Sequence, residues 1–233
     1  MKKKIIIFGS LAVALTIGGV CGYHLLSTNN QDVNNNSNVN NENTNDNDLF
    51  FNIGDIPEEN KYYLKTDFAL TYEPTIDYLT ENADLIVVGS FNKNIDSYVS
   101  GANIFTSTLI DVDKVIKNDT DLNITDNLTF ERMGGVVTLE EYVDDNETVK
   151  PNEFADIDKD EMKNYYVIQD TEPIKTTSNA KSISQKKYLI FLSDKDGKLY
   201  LRAAHYGIRE INSNNKVYNY DNNTYVETNF NLD

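Results

Sequence analysis

Residues Lys187-Tyr188-Leu189-Ile190-Phe191-Leu192-Ser193-Asp194-Lys195-Asp196-Gly197-Lys198-Leu199-Tyr200-Leu201-Arg202 decide the fold class. Two runs of aromatic and aliphatic residues flank a short polar step that ends in Asp196-Gly197. An Asp-Gly pair tolerates positive φ at both central positions of a tight turn, so this arrangement reads as a β-hairpin.

The same texture recurs upstream. Asp84-Leu85-Ile86-Val87-Val88-Gly89-Ser90-Phe91 is a β-branched run that reads as a strand buried on both faces. A second strand spans Ile104 to about Lys117, with Ile110 and Val112 alternating against Asp111 and Asp113. Leu128-Thr129-Phe130-Glu131-Arg132-Met133 also alternates, and Gly134-Gly135 ends it. Two weaker strands lie around Gly207 to Ile211 and Val217 to Tyr220. One short helix is expected ahead of them all. Glu73-Pro74-Thr75 opens it, with proline in the first turn, and Ile76, Leu79 and Ala83 share one face. Five or more strands, one early helix and no repeating βαβ unit predict a mainly β domain, a largely antiparallel barrel or sandwich.

The order of these segments carries a resemblance. Ala83 to Gly89, then Phe105 to Lys117, then a strand ending in Gly134-Gly135, then Tyr188-Leu189-Ile190-Phe191-Leu192, resembles uncharacterised exported and lipoprotein-like proteins of Gram-positive bacteria. Those are similar in pattern to netrin-like OB barrels. The likeness covers about Ala83 to Ile211 apart from its middle, and it rests on packing patterns. It implies an OB-like antiparallel barrel and no particular activity. The cysteines that staple many netrin-like domains are absent, and with them the usual support for an inhibitor.

Between Gly135 and Lys186 the barrel pattern is interrupted by about 50 residues, an insertion spanning 136–186. Thr138-Leu139-Glu140-Glu141 has the form of a capping box and predicts a helical turn. The acidic run from Asp144 through Glu161 reads as solvated loop. Tyr165-Tyr166-Val167-Ile168 reads as an added strand or a docking lid. Long loops on rigid scaffolds often carry recognition, so this insertion is a candidate binding surface.

The amino-terminal part argues for location. Residues 1–4 hold Lys2, Lys3 and Lys4, and Ile5 to Leu26 contains no formal charge if His24 is neutral. Twenty-two helical residues reach roughly 33 Å, enough for a hydrocarbon core of about 30 Å. No cation follows until Lys61, so the positive-inside bias puts the amino terminus in the cytoplasm and the rest outside. An uncleaved single-pass transmembrane anchor is the favoured reading. Cleavage as a signal segment near Gly18 or Gly22, or lipidation at Cys21, are the alternatives. Residues 27–48 are half asparagine and almost free of apolar side chains. Such a segment cannot offset an ordering cost of about 1 to 2 kcal/mol per residue and is expected to be a flexible linker. The extracytoplasmic β domain is then 49–233.

Composition excludes several classes. The formal net charge is −16, which repels phosphate backbones, so nucleic acid is not an expected partner. Cys21 is the only cysteine, so no intrachain disulfide or cysteine-based metal site can form. His205 is the only histidine beyond the linker, and no nucleophile-elbow motif accompanies it. Asp156, Asp158, Asp160 and Glu161 alternate like calcium ligands, yet Glu161 stands where the turn glycine belongs and Val167 where the bidentate acid belongs. Glu140-Glu141 and Asp144-Asp145 are too close in sequence to define a glycosidase pair. Met133-Gly134-Gly135-Val136 lacks the Lys-Ser/Thr of a phosphate loop. Tyrosines including Tyr62, Tyr63, Tyr72, Tyr78, Tyr98, Tyr206, Tyr218, Tyr220 and Tyr225 offer flat amphipathic surface for a sugar or peptide, although an AT-rich coding bias accounts for many of them.

No catalytic, cofactor-binding or metal-ligating residue is therefore assigned. The expectation is a membrane-anchored, non-enzymatic binding module for an envelope protein or cell-wall glycan. An envelope hydrolase using His205 or acidic residues, and an assembly component of a membrane machine, are the other classes.

Overall fold

The computed structural model describes residues 56–64, 70–145, 154, 156–171 and 180–232, together with the backbone of 5–6. The rest of the apolar run and the asparagine tract lie outside the described residues, and with them the anchor and linker expectations. Among the described residues, no helix is long and apolar enough to cross a membrane.

The chain is mainly β, as its alternating segments require. In order, it forms β1 (Ile5–Ile6), β2 (Lys61–Leu64), α1 (Ile76–Asn82), β3 (Leu85–Ser100), β4 (Asn103–Asn118), β5 (Asn127–Met133), β6 (Gly135–Thr138) and α2 (Leu139–Asp144). It continues with β7 (Tyr166–Gln169), α3 (Ala180–Ser184), β8 (Lys187–Lys195), β9 (Lys198–Leu201), β10 (Ile208–Ile211), β11 (Val217–Asn219) and β12 (Thr224–Val226).

Five strands close a ring of pairings. β3 pairs antiparallel with β4, and β4 with β5. β8 pairs antiparallel with both β3 and β9. The circuit closes where β9 meets β5 in parallel at one position, Glu131 opposite Tyr200. Two features bend the long β3–β4 ribbon enough for this. The β3–β4 register shifts at four places, and each irregularity adds local twist. At Gly89 the carbonyl of Asp111 occupies the space where a Cβ would stand, so the two backbones approach as only glycine permits. The Asp196-Gly197 turn forms as the sequence predicts, with φ of 55° and 81°, and it joins β8 to β9 through Lys195 opposite Lys198.

The first half of β3, Leu85 to Phe91, and the middle of β8, Tyr188 to Leu192, are packed on both faces. Leu85, Val87 and Phe91 of β3, with Tyr188, Ile190 and Leu192 of β8, point into the ring beside Ile110, Leu128 and Phe130. Ile183 of α3 joins the same core. The opposite faces, Ile86 and Val88 with Leu189 and Phe191, pack against Leu79 of α1, the Ala83 that follows it, and Ile211, Val217 and Leu232. The helix is anchored at both ends. Thr75 caps its start by accepting from the Tyr78 amide at 3.1 Å, while Lys117 donates to the Ala83 carbonyl at 2.6 Å just past its last turn. Pro74 stands one residue before the cap rather than inside the first turn.

The described residues of the stretch 136–186 add strands and a helix to the fold. β6 and β7 pair antiparallel, and β7 pairs parallel with β2, giving a small second sheet with the order β1-β2-β7-β6. Tyr166–Gln169 is thus the added strand, one of the two expectations for it. The capping box holds in both directions: the Glu141 amide donates to Thr138 Oγ1 at 3.2 Å, and the Thr138 amide to Glu141 Oε2 at 2.8 Å. Tyr62, Val137, Leu139, Tyr142 and Val167 bury their side chains with Ile104 of β4, which welds this sheet to the ring. The expected solvated run is partly a 3-10 turn, Lys159–Asn164.

Candidate ligand groove at the ring seam

β5 and β9 pair at a single register position. Between them a groove of about 370 Å³ opens. Leu122, Ile124, Leu128, Phe130 and Leu199 give it an apolar floor; Asn123, Thr129, Glu131, Gly197 and Lys198 supply polar atoms. Leu122 and Ile124 come from the loop 119–126 and lean on the ring core. Asn118 organises that loop by accepting from the Thr120 amide at 3.0 Å and donating to the Leu122 carbonyl at 3.1 Å.

At one end of the groove sits a charged constellation. Glu131 has the outward parity of β5, yet its side chain is only 5% exposed because Lys198, Ser107 and Tyr98 surround it. Its Oε1 accepts from Ser107 Oγ at 2.5 Å and faces Lys198 Nζ at 3.2 Å. Its Oε2 is buried and finds no donor among the described residues. Lys198 Nζ lies 5.3 Å from the Tyr98 ring centre and 5.7 Å from that of Tyr200. Tyr98 in turn stacks on Phe105, with ring centres 6.0 Å apart. Burial, then the Glu131 charge and a hydrogen bond with that carboxylate, push the Tyr98 phenol up, opposed by Lys198. Desolvation lowers the Lys198 ammonium, but its hydrogen bond to Glu131 and that residue's charge outweigh this and raise it.

The next residue, Arg132, turns inward. It is fully enclosed, donating from Nε to Thr108 Oγ1 at 3.0 Å and from Nη2 to Asn94 Oδ1 at 3.2 Å. Burial lowers its guanidinium to about 10, partly countered by Asp170, so it remains cationic at neutral pH. The ring interior is therefore apolar at one end and polar at the other. Ser97 and Thr106, 2.9 Å apart, extend the polar end.

Several other residues singled out from the sequence make contacts within the fold. His205 stacks beside Tyr206 at 3.9 Å and meets the Tyr220 ring edge-on at 5.7 Å. Tyr218 packs edge-on against both Tyr220 and Tyr225. This aromatic group surrounds Arg209, which is 0% exposed. Arg209 donates to the carbonyls of Tyr206 at 2.7 Å and of Pro74, and lies 4.8 Å from the Tyr220 ring. Carbonyl oxygens and a π face thus solvate the buried cation. The contact ties the carboxy-terminal strands to the entry of α1. Glu141 is used by its capping box and Asp158 caps the 3-10 turn by accepting from the Asp160 amide at 3.1 Å. Asp194 accepts from the Gly197 amide at 2.8 Å, inside its turn. Tyr72 and Tyr78 stack on each other, and Tyr62 packs against Phe154. Among the described residues, no group of three or more His, Cys, Asp or Glu side chains could hold a metal ion.

In the sequence Tyr98 is one tyrosine among many, and Glu131 and Lys198 carry no site signature of their own. One signal was present: Glu131-Arg132 puts two charges at successive positions of an alternating strand, so one of them must face inward. The chain matches no protein-family model, no curated protein and no solved structure.

Proposed function

We propose that this protein is a membrane-tethered, non-enzymatic binding module whose outer domain is an OB-type barrel and whose ligand, an envelope protein or glycan, lies in the groove between β5 and β9. The pairing order supports the barrel type. With β3, β4, β5, β8 and β9 as first to fifth strands, the first pairs with the second and fourth, and the third meets the fifth in parallel. OB barrels bind ligands on the face of their second and third strands and at the loop joining the fourth and fifth. The groove uses both regions, since Thr129 and Glu131 come from the third strand and Gly197 from that loop. The observation that carries the reading is a concave apolar surface ending in a buried, half-satisfied carboxylate.

The tether reading rests on the sequence of Ile5 to Leu26 and has a structural competitor. The backbone of β1 runs parallel to β2, with Ile5 opposite Tyr63 and Ile6 opposite Leu64. Insertion of this run into a bilayer would free β1 and leave β2 as the edge of the small sheet.

Binding of the full-length protein, in detergent micelles, to isolated cell envelopes tests the groove. Thr129→Arg, at an exposed position of its lining, should weaken binding by about tenfold or more while the melting temperature stays the same. Equal binding by wild type and variant would place the ligand elsewhere. On intact cells, added protease should digest the domain 49–233; full protection of it would refute the extracytoplasmic assignment.

A further inference from the structure

The seam groove already contains a cation of its own. Lys198 is half exposed, its side chain retaining 50% of its accessibility, and it reaches the Glu131 carboxylate from the rim. Only one carboxylate oxygen is used. The other is buried, without a donor among the described residues, and a carboxylate oxygen in that state is a strong acceptor waiting for a partner. The Lys198 ammonium that reaches this carboxylate lies near the rings of Tyr98 and Tyr200, which attract a positive charge through the ring quadrupole. Lys195 also lies over Tyr200, at 5.3 Å, so two lysines of the chain gather at these rings. Next to this charged end, Leu122, Leu128 and Leu199 offer an apolar track.

From this pairing of an apolar track with a buried carboxylate we infer that the groove recognises a primary alkylammonium, specifically the lysine side chain of an extended peptide, and that Lys198 holds the place of the ligand's ammonium until it is displaced. The inference rests on the reading of the groove as the ligand site and names its ligand chemistry. The four-carbon stem of lysine matches the track, and its ammonium carries three donors for Glu131 and the ring faces. Lys198 can leave at small cost because its ammonium regains water on a flexible stem. An extended peptide suits the seam because β5 and β9 pair there at one position only, leaving strand edges on either side of the groove.

The test uses the full-length protein in detergent micelles and two fluorescein-labelled probes, acetyl-Val-Lys-Val-amide and its norleucine counterpart, read by fluorescence anisotropy. Norleucine keeps the stem and lacks the charge. The lysine probe should bind at least about tenfold more tightly than the norleucine probe. The preference should vanish in the Glu131→Gln, Lys198→Met double variant, which removes both charges together and leaves no buried ion unpaired. It should survive Glu140→Gln, a charge change on α2 away from the groove, which controls for attraction to an acidic protein. Equal binding of both probes would overturn the ammonium inference and leave the groove reading standing. Binding of neither probe, with envelope binding still sensitive to Thr129→Arg, would overturn it in the same way. A lysine preference that persists in the double variant would assign the effect to net charge and overturn it too.

Discussion

Glu131 and Arg132 are neighbours in sequence and opposite in fate. Strand alternation sends Arg132 into the ring beside Thr108 and Asn94, and Glu131 out to Ser107 and Lys198. That one of the two must face inward was legible from the pattern; which partners would satisfy it was not, because Thr108 and Asn94 are 24 and 38 residues away. Arg209 teaches the same lesson more sharply. Nothing local marks Ile208-Arg209-Glu210-Ile211 as holding a buried cation, since its acceptors are supplied by Tyr206, Tyr218 and the distant Pro74. Arg209→Ala should destabilise the domain by about 3 kcal/mol, because it orphans buried carbonyls and removes a cation from a ring face. His205→Ala removes only one ring from the same aromatic group and should cost about 1 kcal/mol. Urea denaturation of the two variants checks the ranking; equal effects would mean that Arg209 is not the post around which this corner is built.

At the scale of elements, the alternating and β-branched segments were readable because their burial is set by the chain's own period. β5, β8, the Asp196-Gly197 turn, the capping box and the α1 face all follow from local pattern. The second half of β3 did not. From Asn92 to Ser100 its register with β4 slips twice, at Phe91/Lys93 and Asn94/Asp96, and each slip resets which side chains face in. β2 and β12 escape notice for another reason: at four and three residues they are too short for a period to show, and β2 is held by the distant β7 while β12 is the return arm of a short hairpin with β11. Gly197→Ala isolates the turn's contribution. An added Cβ there meets nothing within 4 Å, so the cost is that of holding φ at +81° alone. The variant should lose about 1 kcal/mol in urea with an unchanged m-value. No loss at all would mean that the β8–β9 hairpin is not closed by this turn.

For the whole molecule, the mainly β class was legible and the second sheet was not. The stretch 136–186 interrupts the barrel pattern in sequence, yet it supplies two of the strands that pack against Ile104 of β4. Local composition shows that the main sheet does not need it, but not that β6 and β7 fold onto that sheet. The seam groove is a property at this scale alone. It exists because five strands close a circuit with one parallel contact, and neither β5 nor β9 contains it separately. Its proposed use as a binding site therefore depends on that closure. Nuclear Overhauser contacts measured across the seam test it most directly. Backbone protons around Glu131 should show contacts to those around Tyr200, alongside the contacts of Tyr200 to Ser193 expected from the hairpin. Contacts from β9 to β8 alone, with none to β5, would describe an open sheet and contradict the ring, the groove and the function drawn from them.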